Sequence, residues 1–265
     1  MYNVIKSDLY KLFKSKFFYI IVMIAIVFAS LNIVATYIYF NNPPDPGQGP
    51  PPEALAQSGR QMLFMAMNSN LSIMLIGILT SIFIAKDYNS GIIKDTVSSH
   101  IPRHIIYFSK VIVTLMAVFL LHMIVVSFTG VASSIFLGYS DSVSLNYSEW
   151  LKILDSFFST FYVLVAFTAL FSLISTKIRS LGPSIGINVG IVIFAGLVIY
   201  LISIIHSSLN NITNYWLSNN INSIVNSALI PEYSSDMPNA ITVSTIYIML
   251  SVIMGIFVFK KQDIK

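Results

Sequence analysis

Lys86-Asp87-Tyr88-Asn89-Ser90-Gly91-Ile92-Ile93-Lys94-Asp95-Thr96-Val97-Ser98-Ser99-His100-Ile101-Pro102-Arg103-His104 opens a charged island that runs on to Lys110. The island separates two strongly apolar stretches, residues 71–85 and 111–137. Lys86, Lys94, Arg103 and Lys110 outnumber its acidic residues, Asp87 and Asp95. A basic loop between apolar segments is the pattern of a cytoplasmic loop in a membrane protein. Within it, Ile92, Ile93, Thr96 and Val97 share one side of a short helix. Pro102 ends that helix, because it lacks an N–H and disfavours helical geometry in the residue before it. The spacing therefore predicts a short surface helix between two spans, placed where a soluble partner could touch it.

Composition agrees with this reading. Of 265 residues, 55% are hydrophobic and 10% charged, with a mean hydropathy of +0.78. Soluble domains carry about 25% charged residues, so the expected class is an all-α integral membrane protein. The absence of cysteine excludes disulfide scaffolds, thiol catalysis and cysteine-ligated metals. The net charge of +4 sits beside apolar segments, so it reads as membrane orientation rather than nucleic-acid binding.

Working outward, residues 2–16 place Tyr2, Ile5, Leu9, Leu12 and Phe13 at helical spacing, with Lys6, Asp8, Lys11 and Lys14 between them. That predicts an interfacial helix, or a basic flank that only sets topology. Residues 17–40 carry no charge and are long enough to span a bilayer; they are too long for the core of a cleaved signal peptide. A proline-rich connector, 41–52, follows outside the membrane. Residues 53–85 are free of proline, which predicts one or two helices starting near Glu53 and a span proper at 69–85. Further spans are expected at 111–137, 153–175, 183–206 and 241–259. Residues 207–240 hold no Lys or Arg and carry Ile212, Trp216, Ile224 and Ala228 on one helical stripe. They read as an outer segment that lies on the interface or re-enters the membrane. Gly130, Ser134 and Gly138 form a small-residue face, and Gly182, Gly186 and Gly190 a doubled Gly-x-x-x-Gly ridge. Both are packing motifs; the ridge could serve an internal contact, slightly favoured, or a dimer.

Six spans put both termini on one side. With residues 1–16, 86–110, 176–184 and 260–265 together, that side holds 13 of the 15 Lys and Arg. The other side holds Arg60 and Lys152. The bias predicts cytoplasmic termini.

Chemistry-bearing motifs are sparse. No lysine follows a glycine directly, so no phosphate-cradling Gly-x-x-x-x-Gly-Lys-Ser/Thr loop exists. His100 and His104 are spaced like metal ligands but lack a third, and read as solvated. His122 lies well inside a span, where it can bond a neighbouring helix or relay protons. Asn188 reads as helix glue. Met62, Met65, Trp216 and His122 are the residues that could face a substrate, Met62 and Met65 because methionine adapts to varied apolar partners. No buried ion network is apparent in the span sequences, so energy for uphill transport should come from a partner carrying an ATP site.

At these residues the chain resembles type-2 ABC transporter permeases. Their loop tends to run from an acidic residue through a Gly-Thr-Leu-Lys-like stretch and a Pro-Arg step to a Lys entering the third span. Asp87, Gly91, Lys94, Pro102, Arg103 and Lys110 match, with Asp87 for the commoner Glu and Ile92 where Thr is usual. Asp8-Leu9-Tyr10-Lys11 matches the lead-in. The resemblance implies a coupling helix at 86–110 in which Ile92, Ile93 and Val97 bury in an ATPase cleft, and a connecting helix at 2–16. It implies a second permease copy or close paralogue, two separate ATPase subunits that hold the ATP and Mg, and no cofactor in this chain. Among such permeases, short stand-alone ones resemble bacterial cell-membrane exporters of lantibiotics, bacteriocins or amphipathic peptide toxins. An ion-coupled carrier or channel, or an intramembrane enzyme, is the alternative.

Overall fold

The computed structural model describes residues 2–42, 58–98, 101–140, 143, 145–205, 213–230 and 237–262, with only the backbone of Asp95, Tyr200, Ser203 and Ile205. The proline-rich connector beyond residue 42, the expected start near Glu53, and Ser99, His100, His206 and Ile212 lie outside the described residues. Ten helices and no strand are found among those described. In order they are α1 Tyr2–Lys14, α2 Lys16–Asn41, α3 Gly59–Met67, α4 Asn70–Asn89, α5 Ile92–Ser98, α6 Arg103–Leu137, α7 Tyr147–Ile178, α8 Leu181–Ile205, α9 Leu217–Leu229 and α10 Met237–Lys261.

Among the described residues, six segments are long and apolar enough to cross a membrane: α2, α3 with α4, α6, α7, α8 and α10. The helices outrun their apolar stretches. Helix α6 starts at Arg103 rather than 111, and α7 at Tyr147 rather than 153, because charged residues with good helix propensity extend each span at its end. Helix α3 is set off from α4 by a cap. The Ser69 hydroxyl accepts from the Ser72 N–H, and Asn68 bonds Asn222 of α9 across the break.

Helix α7 is central and lies against α4, α6, α8, α9 and α10; α6 packs on α1, α2, α3 and α10 as well. In a bilayer apolar surface gains little by leaving lipid, so close backbone approach must hold such helices together. The small residues do this. Gly130 sits under Leu63 of α3, with space of 2.7 Å to a Leu63 methyl where a side chain would begin. A side chain on Gly59 would start 2.8 Å from the Ser134 backbone. The Gly59 and Arg60 N–H groups donate to the Gly138 and Tyr139 carbonyls at 2.8 and 2.9 Å. The Gly130–Ser134–Gly138 face is thus the bed of α3. Tyr107 of α6 likewise lies over Gly255 of α10.

Helix α8 uses the opposite logic from the one favoured for its glycines. Its inward face is Ser184 and Asn188, four residues apart. The Asn188 amide donates to Ser81 Oγ of α4 at 2.8 Å and Ser175 Oγ of α7 at 3.1 Å, while Ser184 bonds the same two hydroxyls. Gly182 and Gly186 face outward with no neighbour within 4 Å of where a side chain would start, and Gly190 meets only Phe194 of its own helix. Among the described residues the ridge makes no contact with another helix; side-chain hydrogen bonds rather than glycines seat α8 on α4 and α7.

Candidate functional site

The site is built at the Lys/Arg-rich end of the bundle, where α1, the end of α4, α5, the start of α6 and the end of α10 meet. Gly91 makes the first corner. It adopts φ +75° between α4 and α5, a left-handed conformation that costs glycine nothing. Pro102 makes the second, standing as the cap residue before α6, where its missing N–H costs no intrahelical bond.

Lys110 is the hub. It is 6% exposed, two turns into α6, and its ammonium lies between Asp8 of α1 and Asp87 of α4. The Asp8 contact is 2.8 Å. The Ser109 hydroxyl donates to the other Asp8 oxygen at 2.9 Å. Lys11 stands 3.6 and 3.9 Å from the two carboxylates, and Phe83 presents its ring 5.0 Å from the Lys110 ammonium. Asp8 and Asp87 are 3% and 8% exposed. Charges so buried persist only when paired. The sequence placed these residues in flanks and loops; folding them together makes an ionic joint between three helices.

Helix α5 packs on its own chain. Ile93 is 2% exposed and lies with Ile106, Tyr107, Val111 and Phe259, with Val97 against the same cluster. The expectation that Ile93 and Val97 bury in a partner is corrected: the apolar face of a two-turn helix goes first to the nearest apolar surface, which is α6 and α10. Ile92 is half-buried and lines a cavity shared with α1, and Gly91 is half-buried at the corner. Lys94 and Ser98 are exposed.

Arg103 is also committed internally. Its guanidinium donates to the Lys260 and Gln262 carbonyls at 2.8 and 2.7 Å, closing the C-terminus of α10. The Gln262 amide donates to the Thr176 carbonyl at 2.8 Å and accepts from the Tyr88 hydroxyl at 2.9 Å. α4, α6, α7 and α10 thus end in one latch beneath α5.

The remaining candidates lie elsewhere. His122 stacks on Phe157 at 4.7 Å, and its Nε2 is 3.4 Å from the Thr160 hydroxyl, so it joins α6 to α7. Trp216 is buried edge-on to Phe167 rather than open to a substrate. Met62 is buried and Met65 is 43% exposed, both beside a cavity between α2, α3, α4 and α6.

At the opposite end is a second buried pair that residue spacing had hidden. Arg60 of α3 donates to Glu149 of α7, and its other arm donates to the Ala228 carbonyl of α9 at 2.8 Å. Glu149 is 2% exposed. The Tyr139 hydroxyl also donates to it, at 3.1 Å. Burial and the Glu149 carboxylate push that hydroxyl up to about 12, which keeps it a proton donor.

A family model described as ABC-2 family transporter protein matches residues 4–196, nearly three quarters of the chain. The chain belongs to the ABC-2 transporter family. A search of curated proteins returns no match. An ABC-2 protein is the membrane component of an ABC transporter and normally works with an ATPase partner. The matched residues take in α1, the ionic joint, α5 and the Arg103 end of the latch. For an ABC-2 chain with six apolar helices, a multi-pass membrane protein is the corresponding placement.

Proposed function

We propose that the chain is the permease subunit of an ATP-driven exporter in a bacterial cytoplasmic membrane, moving amphipathic or antimicrobial peptides, or similar hydrophobic compounds, out of the cell. Two ATPase subunits dock beneath a pair of permeases, formed by two copies or a copy and a close paralogue. Both termini are cytoplasmic. The observation that carries the reading is the mounting of α5. A two-turn helix between two spans is fixed by Ile93 to α6 and α10, and the neighbouring Asp8–Lys110–Asp87 joint ties α6 in turn to α1 and α4. A displacement of α5 by a docked ATPase would move the two spans α6 and α10 together. The Lys94 side of α5 faces the partner, and the outward ridge of Gly182 and Gly186 supports a contact with the second permease. Peptide export rests on the resemblance of the chain to permeases of such exporters.

Orientation is tested with single cysteines in a chain that otherwise has none. Tyr215→Cys should react with an impermeant thiol reagent outside intact cells, and Lys94→Cys should not. The reverse result would place α5 away from any cytoplasmic ATPase.

Docking is tested by co-purification. The chain alone should hydrolyse no ATP, and hydrolysis should appear with its cognate ATPase. Lys94→Glu, an exposed charge at the rim, should weaken recovery of the ATPase about two- to fivefold at low salt and less at high salt. Full recovery at every ionic strength would move the docking face off α5.

A further inference from the structure

We propose that the cavity between α2, α3, α4 and α6 binds an uncharged, hydrogen-bonding apolar segment of a ligand. Resting on the export reading, we assign it as an intramembrane subsite for one capped apolar stretch of the transported molecule. The cavity measures about 230 Å³. That is below the about 300–1,000 Å³ of sites that enclose a whole drug-sized ligand, so it suits a segment. Phe28 and Met65, each 43% exposed, stand at its rim, and Ala25, Ala29 and Met62 make an apolar wall. Asn32, Thr36, Ser69, Ser72 and Thr129 add polar atoms. Among the described residues, no charged residue or histidine lines it.

Thr129 is the observation that points to a ligand. It is 4% exposed, and its hydroxyl makes no hydrogen bond. Four other buried threonines of the spans satisfy themselves by donating to the carbonyl four residues back. Thr80, Thr114, Thr160 and Thr168 do so at 2.8 Å. Thr129 has Val125 in that position, itself a lining residue, and does not use its carbonyl. An unpaired hydroxyl in an apolar bundle is costly, and a ligand hydroxyl or amide would satisfy it. The Asn32 amide sits exposed on α2 with its Nδ2 turned to the Phe28 carbonyl, which leaves its oxygen as an acceptor. Without a cation or carboxylate in the lining, a charged group would enter undersolvated and unpaired. The favoured ligand is therefore neutral: amide or hydroxyl groups on an apolar skeleton.

The same chemistry could come from a neutral lipid, so two probes are compared. The full chain is placed in nanodiscs of phosphatidylcholine. One probe is a diazirine-bearing nonpolar tripeptide, N-acetylated and C-amidated; the other is a diazirine-bearing diacylglycerol. Adducts are mapped by mass spectrometry across a concentration series. The capped peptide should label residues 28–36 and 62–66 saturably. Thr129→Val, which keeps the shape and removes the hydroxyl, should raise the half-saturating concentration about three- to tenfold. Ala29→Leu, which fills the space from the α2 side, should abolish that labelling. A free carboxylate on the peptide should weaken it more than tenfold. Equal labelling of the outward face of α8, or no change with Thr129→Val and Ala29→Leu, would overturn the site. Thr129-dependent labelling by the diacylglycerol alone would make it a lipid site and overturn the substrate assignment. No ATPase is present, so failure of the docking experiments and failure here are separate results.

Discussion

Lys110→Met is expected to lower the stability of the chain by about 3 kcal/mol, near the low end of what stranding a buried charge costs. Met matches the length of the lysine stem, so what is removed is the charge, with its contact to the Phe83 ring. Asp8 and Asp87, 3% and 8% exposed, would then face each other with no ammonium between them. Lys11, 3.6 and 3.9 Å away and partly exposed, can move in to soften the loss. Melting in nanodiscs should show the shift, and hydrogen exchange should rise first in α1 and α5. The decisive arm is the triple variant that adds Asp8→Asn and Asp87→Asn. Neutral amides remove the unpaired charges, and stability should return by most of the loss. A single variant within about 0.5 kcal/mol of the parent, the range of surface substitutions, would show that the joint carries no strain-bearing role.

Arg60→Met should have an effect of similar size at the other end, about 3 kcal/mol. It strands Glu149, at 2% exposure, with the Tyr139 hydroxyl and the N–H groups near its own helix start as remaining donors. It also frees the Ala228 carbonyl, which Arg60 binds at 2.8 Å. The expected signature is regional: faster exchange in α3 and α9, with α5 unchanged. Adding Glu149→Gln should restore stability but leave α9 looser, because the Ala228 contact stays lost. Uniform exchange throughout would mean that α9 is held by Ile221, Ile224 and Val225 alone.

The sequence by itself determined the class, the six apolar spans and the short helix after Gly91. Each is a local property: a run of about 20 apolar residues must be helical in lipid, and glycine and proline mark the corners within a few residues. Tertiary structure decided what the charged residues do. Asp8 and Lys110 are 102 positions apart, and Arg60 and Glu149 are 89 apart. Hydropathy treats such residues as flanking charges and contains no term for a partner on another helix. The glycines divide in the same way. Spacing identified both small-residue faces, but Gly130 and Ser134 meet α3 while Gly182 and Gly186 face outward. For Ile93, amphipathic spacing identified a face to be buried, and only packing showed that α6 and α10 bury it. In a membrane, apolar burial is nearly indifferent to partner, so helix neighbours are chosen by shape and by paired polar groups that exist only once the chain has folded.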